Sequence, residues 1–167
     1  PAPASTQAAT LQRFISAWEK WEAQEWISTF SDDFQQVTMP LGLNIPPRTR
    51  KEVEVILPAL MATVDSYEDL SRSHSYIANA NRIAHNPHVV HDAEHNKAAV
   101  YATSKGLLPW GDWNLEYSIF ITFTEDGEKV ARLEEMLDTA FLQDFGPKFG
   151  KYLQDHGGPI AVAAGQN

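Results

Sequence analysis

The 167-residue chain contains no cysteine. That excludes disulfide staples, thiolate metal sites and cysteine nucleophiles. Basic residues are scarce: 13 Lys and Arg stand against 22 Asp and Glu, a net charge of −9. Such a balance argues against nucleic acid and anionic membrane as partners. The densest basic stretch, Arg48 to Lys51, is short. No apolar run approaches the ~18 residues that span a bilayer. The start, Pro-Ala-Pro-Ala-Ser-Thr, has neither an initiator Met nor a charged-then-apolar signal pattern, and the chain reads as cytoplasmic. Repeats and linkers are also missing. The length suits one domain with its own core, expected over residues 1–156, with 157–167 (GGPIAVAAGQN) as a flexible tail.

The segment WNLEYSIFITFTEDGEKVARLEEMLD, Trp113 to Asp138, is the most informative part of what is present. It reads as two strands joined by a hairpin at Glu125-Asp126-Gly127-Glu128, because Asp-Gly between apolar runs supplies the positive φ a tight turn needs. Alternation places Trp113, Leu115, Tyr117, Ile119, Ile121 and Phe123 on one face of the first strand. In the second strand Ala131, Leu133, Glu135 and Leu137 share a face, and Arg132, Glu134 and Met136 share the other. Glu135 therefore sits in an oily row with Tyr117 on the strand before it. A buried carboxyl costs several kcal/mol unless paired or protonated, so Glu135 is a candidate acid or base.

The rest of the chain supplies a container. Ser5 or Thr6 can cap a helix from near Gln7, with Leu11, Phe14, Ile15 and Trp18 on one face. A short helix is expected from Gln24 to Phe30, a strand from Phe34 to Met39, a proline-rich loop from Pro40 to Pro47, and a helix from Arg50 to Val64 kinked at Pro58. Strands then follow at Asp69–Asn79, Arg82–His91, Ala98–Gly106, Asn114–Thr124 and Lys129–Asp138, and a final helix or turn runs from Thr139 to Leu153. Helices followed by antiparallel strands indicate an α+β fold with segregated layers. A curved sheet wrapped over the helices would enclose one pocket lined by Trp18, Trp21, Trp26, Trp110, Trp113, Tyr101 and Tyr117. The loop Trp110-Gly111-Asp112-Trp113 reads as a lid at its rim. His85, His88, His91 and His95 do not converge, because alternate residues of a strand face opposite ways. No metal site is expected from them.

Further motifs are Met39-Pro40-Leu41, Pro46-Pro47-Arg48-Thr49, Asn114-Leu115-Glu116-Tyr117, Phe123-Thr124-Glu125-Asp126-Gly127-Glu128-Lys129-Val130 and Glu135-Met136-Leu137-Asp138. With this layout, the chain from Trp18 to Asp138 resembles the SnoaL-like, nuclear-transport-factor-like cone superfamily. Within it, the likeness is nearest to small fungal isomerases and cyclases of meroterpenoid and alkaloid pathways, with scytalone dehydratase more distant. The resemblance implies a cofactor-independent enzyme that is often a homodimer, with Phe120 and Met136 on the convex dimer face. It implies acid–base chemistry on a small hydrophobic polycyclic intermediate. It places catalysis on Glu135 and Tyr117, with Trp113 where a second tyrosine would stand and Val37 or Thr38 where a basic residue would. The dehydratase likeness adds His74 and Glu22. Trp113, Trp21, Tyr101, Leu133 and Met39 are the expected substrate-binding residues.

Alternatives are a dehydratase of the scytalone type and a non-catalytic cone for a hydrophobic ligand. Epoxide hydrolysis is a third, weaker idea: it needs Asp-Arg-Asp around a water, and neither Arg72 nor Arg132 clearly supplies that arginine. One buried Glu alone fits binding, whereas several convergent ionisable groups fit catalysis.

Overall fold

The computed structural model describes residues 1–65 and 88–159. The expected strand Asp69–Asn79, the start of the next strand, and His74, Arg72 and His85 lie outside the described residues, as does the chain from 160 onward.

The chain opens with α1 (Ala4–Glu19) and α2 (Ala23–Ile27). β1 (Phe30–Met39) leads through a 3-10 turn to β2 (Arg48–Thr49) and α3 (Arg50–Asp65). After the undescribed segment come β3 (His88–Asp92), β4 (Lys97–Leu108), β5 (Gly111–Phe123), β6 (Val130–Leu137) and α4 (Thr139–Asp155). The strands form a six-stranded sheet in the order β2-β1-β6-β5-β4-β3. Only the central β1–β6 pair among them is parallel. This is the α+β cone: one sheet curved around α1, α2 and α3.

α1 begins three residues before Gln7, and no side chain caps it, so Ser5 and Thr6 are helical residues rather than caps. Leu11, Phe14 and Trp18 are buried at 3-4 spacing, as an amphipathic helix requires. Gln7 is buried too; its amide donates to the carbonyls of Ala2 and Ala93 and to Asn96 Oδ1, pinning the N-terminus to the β3–β4 turn. α3 starts with a capping box. Glu52 Oε2 accepts from Thr49 N–H at 2.7 Å and from Thr49 Oγ1 at 2.8 Å, and Thr49 Oγ1 accepts from Glu52 N–H at 3.4 Å.

The β5–β6 hairpin closes as its sequence dictates. Thr124 N–H donates to Lys129 O and Gly127 N–H to Thr124 O. Gly127 sits at φ +74°, and a Cβ there would lie 2.7 Å from Ala2 Cβ and 2.9 Å from Gln7 Cγ. Only glycine lets this turn pack beneath the N-terminal helix. The alternating row of β5 is buried from Trp113 to Phe123. β6 departs from strict alternation. Its register slips between Thr122 and Phe123, so Val130, not Ala131, faces Phe123 and is fully buried. Ala131 is the extra residue of a bulge. Beyond it Leu133 and Glu135 are buried, while Arg132 bonds Gln35 and Glu134 and Met136 stands exposed with Phe120.

Candidate active site

Glu135 is held by its neighbours on both sides. Thr38 of β1 stands opposite it on one strand and Ile119 of β5 on the other. The inward row of β1 brings Gln36 beside it, and Gln36 Nε2 donates to Glu135 Oε2 at 2.8 Å. The carboxyl lines a cavity of about 350 Å³, within the size of small-molecule sites. Burial pushes Glu135 up from 4.5 to about 7, against the opposing pull of the Gln36 hydrogen bond and the Arg48 charge. The group therefore changes protonation near neutrality.

Tyr117 lines the same cavity and is buried. Its hydroxyl lies 2.9 Å from Ser104 Oγ, which accepts from Trp113 Nε1 at 2.7 Å. Burial raises the phenol well above its ordinary value, so it stays protonated at neutral pH. The Trp18 ring meets the Tyr117 ring edge-on at 5.0 Å and stacks on Trp26 at 5.5 Å. Trp26 Nε1 is buried with no hydrogen-bond partner among the described residues.

Arg48 is the third ionisable group in the wall. β2 is only two residues long; its pairing of Arg48 with Gln36, followed by the capping box at Thr49, fixes where the guanidinium enters. Burial lowers its pKa from 12.5, while Glu135 and then Glu52 act the other way.

Trp21 reaches the cavity through an unusual backbone. α1 ends with Glu22 N–H on Ala17 O and Trp21 N–H on Trp18 O, a Schellman closure whose left-handed position glycine usually fills. Here Trp21 occupies it at φ +59°. Its indole N–H donates to Met61 O at 3.2 Å, and its ring meets Trp113 at 6.2 Å.

α4 covers the mouth. Asp138 caps it, accepting from Ala140 N–H at 2.8 Å and Phe141 N–H at 3.2 Å. Leu142, Phe145 and Phe149 line the cavity, and Leu43 and Ile45 of the proline-rich loop join them. The Trp110 loop is not the lid. β4 and β5 pair up to Leu108 and Gly111, and Trp110 packs under α4 against Phe145 and Tyr152.

The other expected site residues lie elsewhere. Tyr101 is half-exposed on the outer face, where its hydroxyl donates to Glu116. Ala98, Val100, Ala102 and Ser104 take the inward parity of β4, which turns Tyr101 outward. Glu22 is exposed and is not part of the cavity wall, because the left-handed turn sends Trp21 inward and the next side chain out. Leu133 is buried in the core beneath the cavity, and Met39 is half-buried opposite Met136; neither lines it. Arg132 faces away, on the outer side of the sheet with Gln35 and Glu134. His91 lies 3.1 Å from Gln7 Oε1, and His95 pairs with Asp92 at 2.8 Å. Among the described residues no three ligand-type side chains gather.

Residue reasoning from sequence did not reach Gln36, Arg48 or Ser104. Ser104 was findable, since it shares the alternating row of Ala98, Val100 and Ala102. Arg48 was not, because a two-residue strand carries no alternation.

The chain is 71% identical to Monooxygenase AacuO of Aspergillus aculeatus, over 98% of this chain and 93% of that relative. It is 62% identical to Monooxygenase AgnL5 of Paecilomyces divaricatus, over 99% and 93%. This chain belongs to their family. No family model matches it. This chain has the SnoaL-like, nuclear-transport-factor-like cone fold. BvnE pinacolase from Penicillium brevicompactum superposes with a TM-score of 0.69 at 15% identity, covering 89% of this chain and 96% of BvnE. AusH from Aspergillus nidulans gives 0.63 at 18%, covering 83% and 88%. An NTF2-like protein from Burkholderia xenovorans gives 0.59 at 13%, covering 86% and 98%.

Proposed function

We propose that this protein is a cofactor-independent isomerase or cyclase that acts by acid–base catalysis on a hydrophobic polycyclic intermediate of fungal secondary metabolism. The observation that carries the reading is Glu135: a buried carboxyl with a pKa of about 7, lining an aromatic cavity beside Tyr117. A general acid or base works best when its pKa lies near the working pH. Ionised Glu135 takes a proton from the bound substrate. The Tyr117 hydroxyl donates to the oxygen on which charge develops. Ser104 accepts from Trp113 and can donate its own hydrogen bond to Tyr117 Oη, which frees the phenol hydrogen for the cavity. Protonated Glu135 then returns its proton at another position, so the product is an isomer and the protein ends as it began. The fold shared with BvnE pinacolase supports this reading.

The names of AacuO and AgnL5 favour a second reading, oxygenation, in which the same deprotonation would prepare the substrate for dioxygen. One experiment separates them. This chain, or its Glu135→Gln variant, is expressed in Aspergillus aculeatus lacking AacuO, and accumulated and restored compounds are compared by accurate mass. The expected result is restoration by the unaltered chain only, with two compounds of equal composition. A difference of one water marks dehydration, and a gain of one oxygen marks oxygenation. Full restoration by Glu135→Gln removes Glu135 from the chemistry and overturns the proposal.

A further inference from the structure

The described arginines are unlike one another. Arg13 donates to Thr10 Oγ1 and Glu128 O, Arg50 to Phe30 O, Asp32 and Glu54, and Arg132 to Gln35 and Glu134. The Arg48 side chain alone of these makes no hydrogen bond and no ion pair with any described residue. Yet Arg48 is half-buried and lines an otherwise aromatic and aliphatic cavity.

Its acidic neighbours among the described residues hold other partners. Glu135, on β6, is the acid nearest in effect; its Oε2 accepts from Gln36, and it forms no ion pair with Arg48. Glu52, on α3, is committed to the capping box with Thr49. β2 is pinned at both ends by Gln36 and by that box. The guanidinium is therefore presented to the cavity as a pre-placed cation with planar donors. A guanidinium fork suits a carboxylate or another pair of anionic oxygens better than any neutral group. A cation in an apolar wall is poorly solvated, and pairing with an anion offsets that.

We infer that Arg48 is the anchor for an anionic oxygen of the ligand, so that the cavity selects aromatic acids, either carboxylates or ionised acidic phenols and enols, over their neutral counterparts. This rests on the cavity being the substrate site, as proposed above, and it names the substrate class. It also fixes orientation: the anionic oxygen lies at the β2 side of the cavity, and the atom next to Glu135 is the one whose proton moves.

The four cavity tryptophans provide the readout. Quenching of their fluorescence is titrated at pH 6 with two matched pairs. The first is 2-naphthoate against 2-naphthamide; the second is 2,4-dinitro-1-naphthol against its methyl ether. At that pH both acids are ionised and Glu135 is mostly protonated. The charged member of at least one pair should bind roughly tenfold tighter or more, as expected for a hydrogen bond to an ion. Which pair responds tells carboxylate from phenolate. Arg48→Met should erase the preference and leave amide and ether binding unchanged, which also shows that the variant is folded. Arg48→Lys should keep part of the preference. Equal binding within both pairs, or a preference that survives in Arg48→Met, overturns the inference. Glu135→Gln leaves Arg48 in place and should retain the preference whether or not it turns over substrate, so the two readings fail separately.

Discussion

Replacing Glu135 by Gln should make the protein more stable at high pH and leave it unchanged at low pH. In the unfolded chain the carboxyl ionises near its ordinary 4.5; in the folded cavity it ionises near 7. Below 4.5 both states hold the proton and the group contributes nothing. Between the two values the unfolded chain has released its proton and the folded one keeps it, so stability falls as pH rises. Above about 7 the whole penalty is present. Each pH unit is worth ~1.36 kcal/mol, so the rise from 4.5 to about 7 amounts to about 3 kcal/mol. For a chain of this length that is about 6–12 °C in Tm. Gln keeps an acceptor for the Gln36 amide and never ionises. Thermal unfolding of both proteins from pH 4 to 9 gives the difference directly, since every other titrating group is common to both. Coincident curves at low pH that diverge through neutrality, with the variant higher, are expected. Parallel curves across the range refute the reasoning, because they mean that Glu135 ionises alike in both states.

Other features carry their own tests. Asp138→Ala removes both acceptor contacts to the first turn of α4 and should cost about 1 kcal/mol; hydrogen exchange at Ala140 and Phe141 should rise, and an unchanged urea midpoint contradicts the capping role. Gly127→Ala puts a Cβ 2.7 Å from Ala2 Cβ at φ +74° and should cost about 2 kcal/mol or more; a wild-type midpoint means that the N-terminus does not pack on the turn. Trp21→Gly relieves the left-handed strain at φ +59°, worth about 1 kcal/mol, but removes a wall of the cavity. It should weaken binding of 2-naphthamide, and unaltered binding places Trp21 outside the ligand's reach.

Strict alternation made the β5 row readable from sequence, and with it the placement of Tyr117 and Glu135 on the same face of neighbouring strands. It failed where the backbone departs from the strand repeat. The bulge at Ala131 moves Val130 into the core, which a period of two cannot foresee. Tyr101 reads as an aromatic wall until the small residues Ala98, Val100, Ala102 and Ser104 are seen to take the inward parity of β4; residue size misled where parity would have served. Glu22 depends on a tryptophan adopting a glycine conformation one residue earlier, which no propensity predicts. The α4 lid did leave a signal, since Leu142, Phe145, Phe149 and Leu153 recur at helical spacing. What that spacing lacks is the partner, because the cavity beneath α4 is built by distant strands. Gln36 meets Glu135, and Arg48 comes near it, only through the register of β2, β1 and β6, so this part of the site is a property of the sheet.

The account turns on the ionisation of one carboxyl, and that can be observed directly. With glutamate side-chain carboxyls labelled with carbon-13, the Glu135 resonance is identified by its absence in Glu135→Gln and followed with pH. A midpoint near pH 7 is predicted. A midpoint near 4.5, the value of an ordinary glutamate, would contradict the central claim that the cavity holds an acid–base group tuned to neutrality.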